Sequence, residues 1–244
     1  MPRDSIVKKL FAREILDSRG NPTIEVEAHV GAVNAVASVP SGASKGLHES
    51  VELRDGDKRR YLGLGVTKAV REIRKTIAPS IQGMDALNQS AIDSALKDLD
   101  GTASKSRLGA NTILGVSIAV CKAAAKSLEL PVFQYLSQGN VKPKSLPTPL
   151  LNVINGGKHA GNELTLQEFM IIPTGAVKFN HALWIGTEIY HNLRIHLRKL
   201  YGNAATNVGD EGGYAPPLSH TKEALECLVK AVEMSGYVLG KEVR

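Results

Sequence analysis

Hydrophobic and polar positions follow a two-residue rhythm over residues 5–11, 23–30 and 34–39, with Gly20-Asn21-Pro22 punctuating the first gap and Gly31 the second. Alternation of this kind, broken by turn formers, predicts a three-stranded antiparallel meander. The period then changes. Val66, Ala69, Val70, Ile73 and Ile77 recur at helical spacing and stop at Pro79, which predicts an amphipathic helix ended by the proline. A second helix is expected from Asn88 as N-cap through Ile92, Leu96 and Leu99 to Gly101. A third, over about residues 110–128, is apolar nearly all round (Ile113, Leu114, Val116, Ile118, Val120) and should be buried on several sides. Residues 1–136 therefore read as strands followed by helices, an α+β domain.

Residues 137–149, SQGNVKPKSLPTP, have linker composition, with three prolines and a glycine. Two short apolar runs follow, 150–154 (LLNVI) and 168–173 (EFMIIP), separated by the polar loop NGGKHAGNELTLQ. Two helices come next. One spans about residues 178–200, with Ala182, Ile185, Ile189, Leu193 and Leu197 on one face; the other spans about 221–235, with Leu225, Leu228, Val229 and Val232, and ends at Gly236. Residues 150–244 thus read as β-β-α-α. Two strands and two helices cannot close a sheet, so something else is expected to complete this second unit.

Composition narrows the function classes. At 244 residues and 43% hydrophobic, the chain can bury a sizeable core, yet no apolar run reaches membrane-spanning length and the start MPRDSIVKK has no signal-peptide core. A soluble cytoplasmic protein without membrane contact is the expectation. The net charge of +6 is spread along the chain and aromatics are only 5%, which disfavours a nucleic-acid partner and leaves an anionic small molecule compatible. Cys121 and Cys227 fall inside expected helices among apolar neighbours, so no disulfide framework is expected.

Polar and titratable residues concentrate in three loops: SGASKGLHE (41–49), NGGKHAGNELTLQE (155–168) and NVGDEGGYAPP (207–217). The first contains GASKG, a match to the G-x-S-x-G elbow that would make Ser44 a hydrolase nucleophile. That elbow needs a helix directly after the serine, and residues 47–60, LHESVELRDGDKRR, carry no apolar stripe at helical spacing. The match is read as coincidence. His191 and His196 are five apart on a helix and so point to different faces, which excludes a metal pair. In the third loop Asp210 and Glu211 lie between glycines immediately after apolar Val208, an arrangement that suits close approach to a ligand.

ILDSRGNPTIEVE (15–27), VPSGASKGLHESVELRD (39–55), LGANTILGVSIAVCKAAA (108–125), LLNVINGGKHAGNELTLQEFMIIPTGA (150–176) and NVGDEGGYAPP (207–217) resemble segments of the enolase family, in order and at that family's spacing. The resemblance implies an enolase N-terminal α+β domain followed by the incomplete start of an enolase-type α/β barrel. It implies reversible dehydration of 2-phosphoglycerate to phosphoenolpyruvate in glycolysis and gluconeogenesis, with Mg2+ as cofactor. Residue by residue, Glu211 matches the proton donor and Glu168 the second carboxylate of the pair; Gln167 would touch substrate. His159 would ride on a closing loop near the phosphate, and Ser44 would ligate a second magnesium from a lid loop. Lys45 and Lys158 stand where threonine and a small residue are usual.

The family's lysine base and its main magnesium carboxylates belong to later segments that these residues do not include. The chain is therefore expected to carry the acid side and the lids of the site, to be inactive in isolation, and to work as a homodimer or with a complementary C-terminal chain. The alternative expectation is a non-catalytic enolase-like binding protein; retention of Ser44, His159, Glu168 and Glu211 argues against it.

Overall fold

The computed structural model describes residues 4–42, 46–137, 145–157 and 160–244. Ser44, Lys45, Lys158 and His159, all singled out above, lie outside the described residues. The chain divides into two compact units, Met1–Pro143 and Lys144–Arg244, each with its own hydrophobic core.

In the first unit, β1 (Val7–Leu16), β2 (Pro22–Val30) and β3 (Val33–Ser38) form an antiparallel sheet in sequence order. Alternation sets its two faces: Ile24, Val26, Ala28 and Val30 of β2 are buried, while Glu25, Glu27 and His29 point the other way. β1 runs to Leu16, well past the expected end at residue 11. Residues 12–16, AREIL, stay in the ladder with Ala12 still buried and with cross-strand pairs adding to it, as where Arg13 meets Glu25 at 2.5 Å.

The first helical segment also departs from expectation at Pro79. α1 (Thr67–Glu72) widens into a π turn at Ile73–Ile77 and continues as α2 (Ala78–Ile81), with Pro79 inside. The wider turn makes room for the proline ring and dispenses with the N–H that proline lacks, so the helix passes through instead of stopping. α3 (Gln89–Asp100) begins where the Asn88 side chain accepts a bond from Ala91 N and ends on left-handed Gly101. α4 (Ala110–Ser127) packs on the buried face of the sheet; a Cβ at Gly115 would come within 2.9 Å of both Val26 and Val39 methyls, so a larger residue could not approach so closely. α5 (Val132–Leu136) follows Pro131 and is too short to leave a readable period.

In the second unit, β4 (Leu151–Asn155) and β5 (Glu168–Ile171) pair antiparallel, with Leu151 opposite Ile171 and Asn155 opposite Glu168. α6 (Phe179–Tyr201) buries Ala182, Ile185, Ile189, Leu193 and Leu197, and α7 (Thr221–Met234) shares its core. On α7 the buried stripe is Ala224, Cys227, Leu228, Ala231 and Val232, whereas Leu225 and Val229 are exposed. The apolar arc of α7 is wider than one contact seam, and packing uses the side with the small alanines, which allow helices close approach. The last residues return to the sheet: Ile172 and Arg244 exchange both backbone hydrogen bonds, and Gly175 N donates to Glu242 O. Among the described residues no helix is long and apolar enough to cross a membrane.

Asp100, 1% exposed, closes the turn between α3 and α4 by accepting from Thr102 N (3.0 Å) and Leu108 N (2.7 Å). Burial alone would raise its pKa, but these bonds and that of the Thr102 hydroxyl outweigh it and hold the carboxyl below its ordinary 3.8. An amide can accept only on its one oxygen. Asp100→Asn is therefore expected to cost about 1–3 kcal/mol, read as a lower urea midpoint by circular dichroism. The depressed pKa makes the loss full at neutral pH and smaller as the solution is acidified below the unfolded value.

Candidate active site

Glu211 owes its position to a buried hook. Asn155 N donates to Tyr214 O at 2.8 Å and Tyr214 N to Val153 O at 2.9 Å, which ties residues 208–214 to β4. Within that segment Gly209 N bonds Gly213 O (2.8 Å) and Val208 bridges Tyr214, so Asp210 and Glu211 sit at the tip of a short loop. A Cβ at Gly213 would lie 2.6 Å from Asn155 Oδ1 and one at Gly209 3.0 Å from Asn155 Cβ. At Gly213 any side chain would push the asparagine aside, and at Gly209 it would crowd it, because the loop wraps the asparagine closely. From α6, the Tyr190 hydroxyl donates to Gly212 O (2.8 Å), and its ring stacks on Tyr214 at 4.3 Å.

The neighbouring loop returns to the same place. Gly156 N donates to Gln167 O (2.9 Å) and Gly157 N to Leu164 O (2.8 Å), while Asn162 Nδ2 bonds both Asn155 O (3.0 Å) and Pro216 O (2.9 Å). Gln167 and Glu168 thus face Glu211. Gln167 Nε2 donates to Glu211 Oε1 at 3.0 Å; Asn155 Nδ2 and Asn152 Nδ2 donate to Oε2 at 3.1 and 3.2 Å. Burial, followed by the negative charge of Glu211, pushes the Glu168 carboxyl above the usual carboxylate range. The arrangement is a pair of carboxyl groups whose proximity disfavours ionisation of both at once.

Of the site residues expected from sequence, Gln167, Glu168 and Glu211 are brought together; Ser44 and His159 lie outside the described residues. Asn152 and Asn155 were missed. Strict alternation would send positions 152 and 155 to opposite faces, but the register slips between Asn152 and Ile154 and both amides reach Glu211. The only visible signal was two asparagines inside an apolar run. Cys121 and Cys227 are buried with thiols pushed up mainly by burial, which suits core packing and not nucleophilic work. Among the described residues no three His, Cys, Asp or Glu side chains converge on a metal position. Magnesium asks for near-octahedral oxygen ligation, so Glu168 and Glu211, with amide donors already on Glu211, do not form its site.

Comparison with known families gives two matches: residues 7–136 match the enolase N-terminal domain and residues 143–243 the enolase C-terminal TIM barrel domain. Enolase from Mastigamoeba balamuthi is 53% identical over 235 residues, covering 96% of this chain and 53% of that protein. Enolase from Methanothrix thermoacetophila is 54% identical over 231 residues (95% of this chain, 54% of the relative). Enolase from Methanopyrus kandleri is 56% identical over 245 residues (100% and 56%). The chain spans about half the length of the curated relatives it matches.

Because the folded pKa of Glu168 is raised, its stabilising contribution is present below the unfolded value of 4.5 and is lost as pH rises through the folded value. Glu168→Gln removes that loss. Its melting temperature at pH 8 should exceed that of the parent, with the gap closing at pH 4. Scanning calorimetry at the two pH values checks this; equal gaps at both would contradict it.

Proposed function

The chain belongs to the enolase family, and from that premise we propose that it carries the acid side of a site that interconverts 2-phosphoglycerate and phosphoenolpyruvate with loss or gain of water. The observation that carries the reading is the carboxyl pair Glu168 and Glu211, held in contact where β4, β5 and the 207–214 loop meet. Elimination needs a proton removed alpha to a carboxylate and a hydroxide lost from the next carbon. Hydroxide is a poor leaving group, and protonation by Glu211 lets it depart as water. Glu168, in contact with Glu211 and with its carboxyl pushed up by burial and by that neighbour, is placed to pass a proton to it. In the reverse direction the same pair removes a proton from water as it adds.

Gln167, with its side chain exposed beside the pair, is suited to orient the substrate. His159 is assigned to the phosphate and Ser44 to a second Mg2+. Magnesium, when bound, would supply positive charge against the dianionic intermediate; the described residues do not form its main site, and no step here is routed through it. The base and the main metal ligands come from residues outside these 244, whether on a continuation or on a complementary chain, and a homodimer is the expected assembly. The non-catalytic alternative gains nothing from the site: a mere binding surface has no use for two carboxyl groups pressed together at an electrostatic cost.

Two measurements test the proposal. Mixing the chain with a polypeptide carrying the remaining barrel should yield magnesium-dependent formation of phosphoenolpyruvate, and no gain on mixing refutes a split site. In the completed enzyme Glu211→Gln should lower turnover by roughly 10²–10⁴-fold while substrate still binds. Turnover near that of the parent would remove Glu211 from the acid role.

A further inference from the structure

Asn155 is fully buried and every polar group it owns is engaged. Its backbone N donates to Tyr214 O and its backbone O accepts from Asn162; its Oδ1 accepts from Gly213 N at 2.9 Å, and its Nδ2 donates to Glu211 Oε2. Asn152, half-buried one bulge away, gives its Nδ2 to the same oxygen. A carboxylate oxygen offers two lone-pair positions. Two amide donors therefore fill Oε2, whereas Oε1 receives the Gln167 amide.

We propose that Asn155 and Asn152 are positioning residues that saturate Glu211 Oε2 and leave Oε1 as the one oxygen able to take up and deliver the proton. This rests on the enolase reading for its chemistry and on the hydrogen-bond geometry for its residues. An amide N–H cannot accept a proton, so no proton can reside on Oε2 without displacing one of the two asparagines. Displacing Asn155 would orphan a wholly buried group whose partners are the Gly213 and Tyr214 backbone. The acid is thereby fixed in one rotamer with one reactive oxygen, on the side of Gln167 and at the open position of the carboxyl group.

The test uses the complete enzyme, with residues 1–244 joined to or combined with the rest of the barrel, and two variants. Asn155→Asp replaces the buried donor by an acceptor; Asn152→Leu removes the second donor at a half-buried position. Both should lower kcat, by about a hundredfold for Asn155→Asp and about tenfold for Asn152→Leu, with KM within about threefold. Independently of catalysis, the carboxyl 13C resonance of Glu211 at fixed neutral pH should move in both variants. If the parent enzyme lacks dehydratase activity but the resonance moves, the enolase reading fails and the positioning role stands. An unmoved resonance in folded Asn152→Leu, or an active parent whose two variants keep kcat within threefold, overturns the positioning role.

Discussion

The candidate site depends on one buried amide. Asn155 joins three segments that are distant in sequence: its own strand, the loop that returns to Gln167 and Glu168, and the glycine-rich segment that carries Glu211. A buried polar group without a partner is expensive, and the Asn155 side chain spans both neighbouring segments, with Nδ2 on Glu211 Oε2 and, at 3.5 Å, on Gln167 O. The three segments are therefore coupled: shifting the Glu211 loop by even one hydrogen bond exposes the cost at Asn155. A polar network that is satisfied throughout specifies one arrangement more sharply than apolar contacts of similar size, because it is directional.

The first unit solves a similar problem with the same side chain. Asn111, 5% exposed at the start of α4, accepts from Leu53 N at 2.9 Å and donates to Leu53 O at 3.1 Å. A Cβ at Gly109 would meet Leu53 Cβ at 2.5 Å and Asn111 Oδ1 at 2.6 Å. Around this pin, Val51 N bonds Ser104 O, Ala110 N bonds Val51 O, and Arg54 reaches Pro22 O and Leu64 O. The irregular stretch after residue 46 is thus fixed to the end of a long buried helix. An extended segment has no ladder of its own, so a side-chain amide that mimics a neighbouring strand supplies both of its missing partners.

How much of this was legible follows from the period of each element. β2, α3 and the buried face of α6 announced themselves because their apolar residues recur at two or 3.6 residues and face a single neighbour. Pro79 misled because a π turn is a response of the backbone to the proline and leaves no apolar period of its own. Leu225 and Val229 misled because periodicity gives a face but not which half of a wide face a neighbour selects. Within the site, Glu211 stood out by its glycine context and Glu168 through family resemblance, whereas Asn152 and Asn155 were hidden inside an apolar strand whose bulge reverses their facing. A register slip arises from the pairing of two strands and cannot be read from one of them.

The glycines around Glu211 take on a different meaning in this light. Read in sequence, a glycine doublet beside an acid suggests a loop that moves. Gly213 instead lies so close to Asn155 that a Cβ would displace it, Gly209 is in tight contact with the same residue, and Gly213 N donates to the Asn155 side chain. Their smallness serves proximity. A general acid gains from being held still, since a proton is transferred over a hydrogen-bond length and small displacements are costly. In the role proposed for Glu211, the contacts of its segment with Asn155 would hold the carboxyl group still.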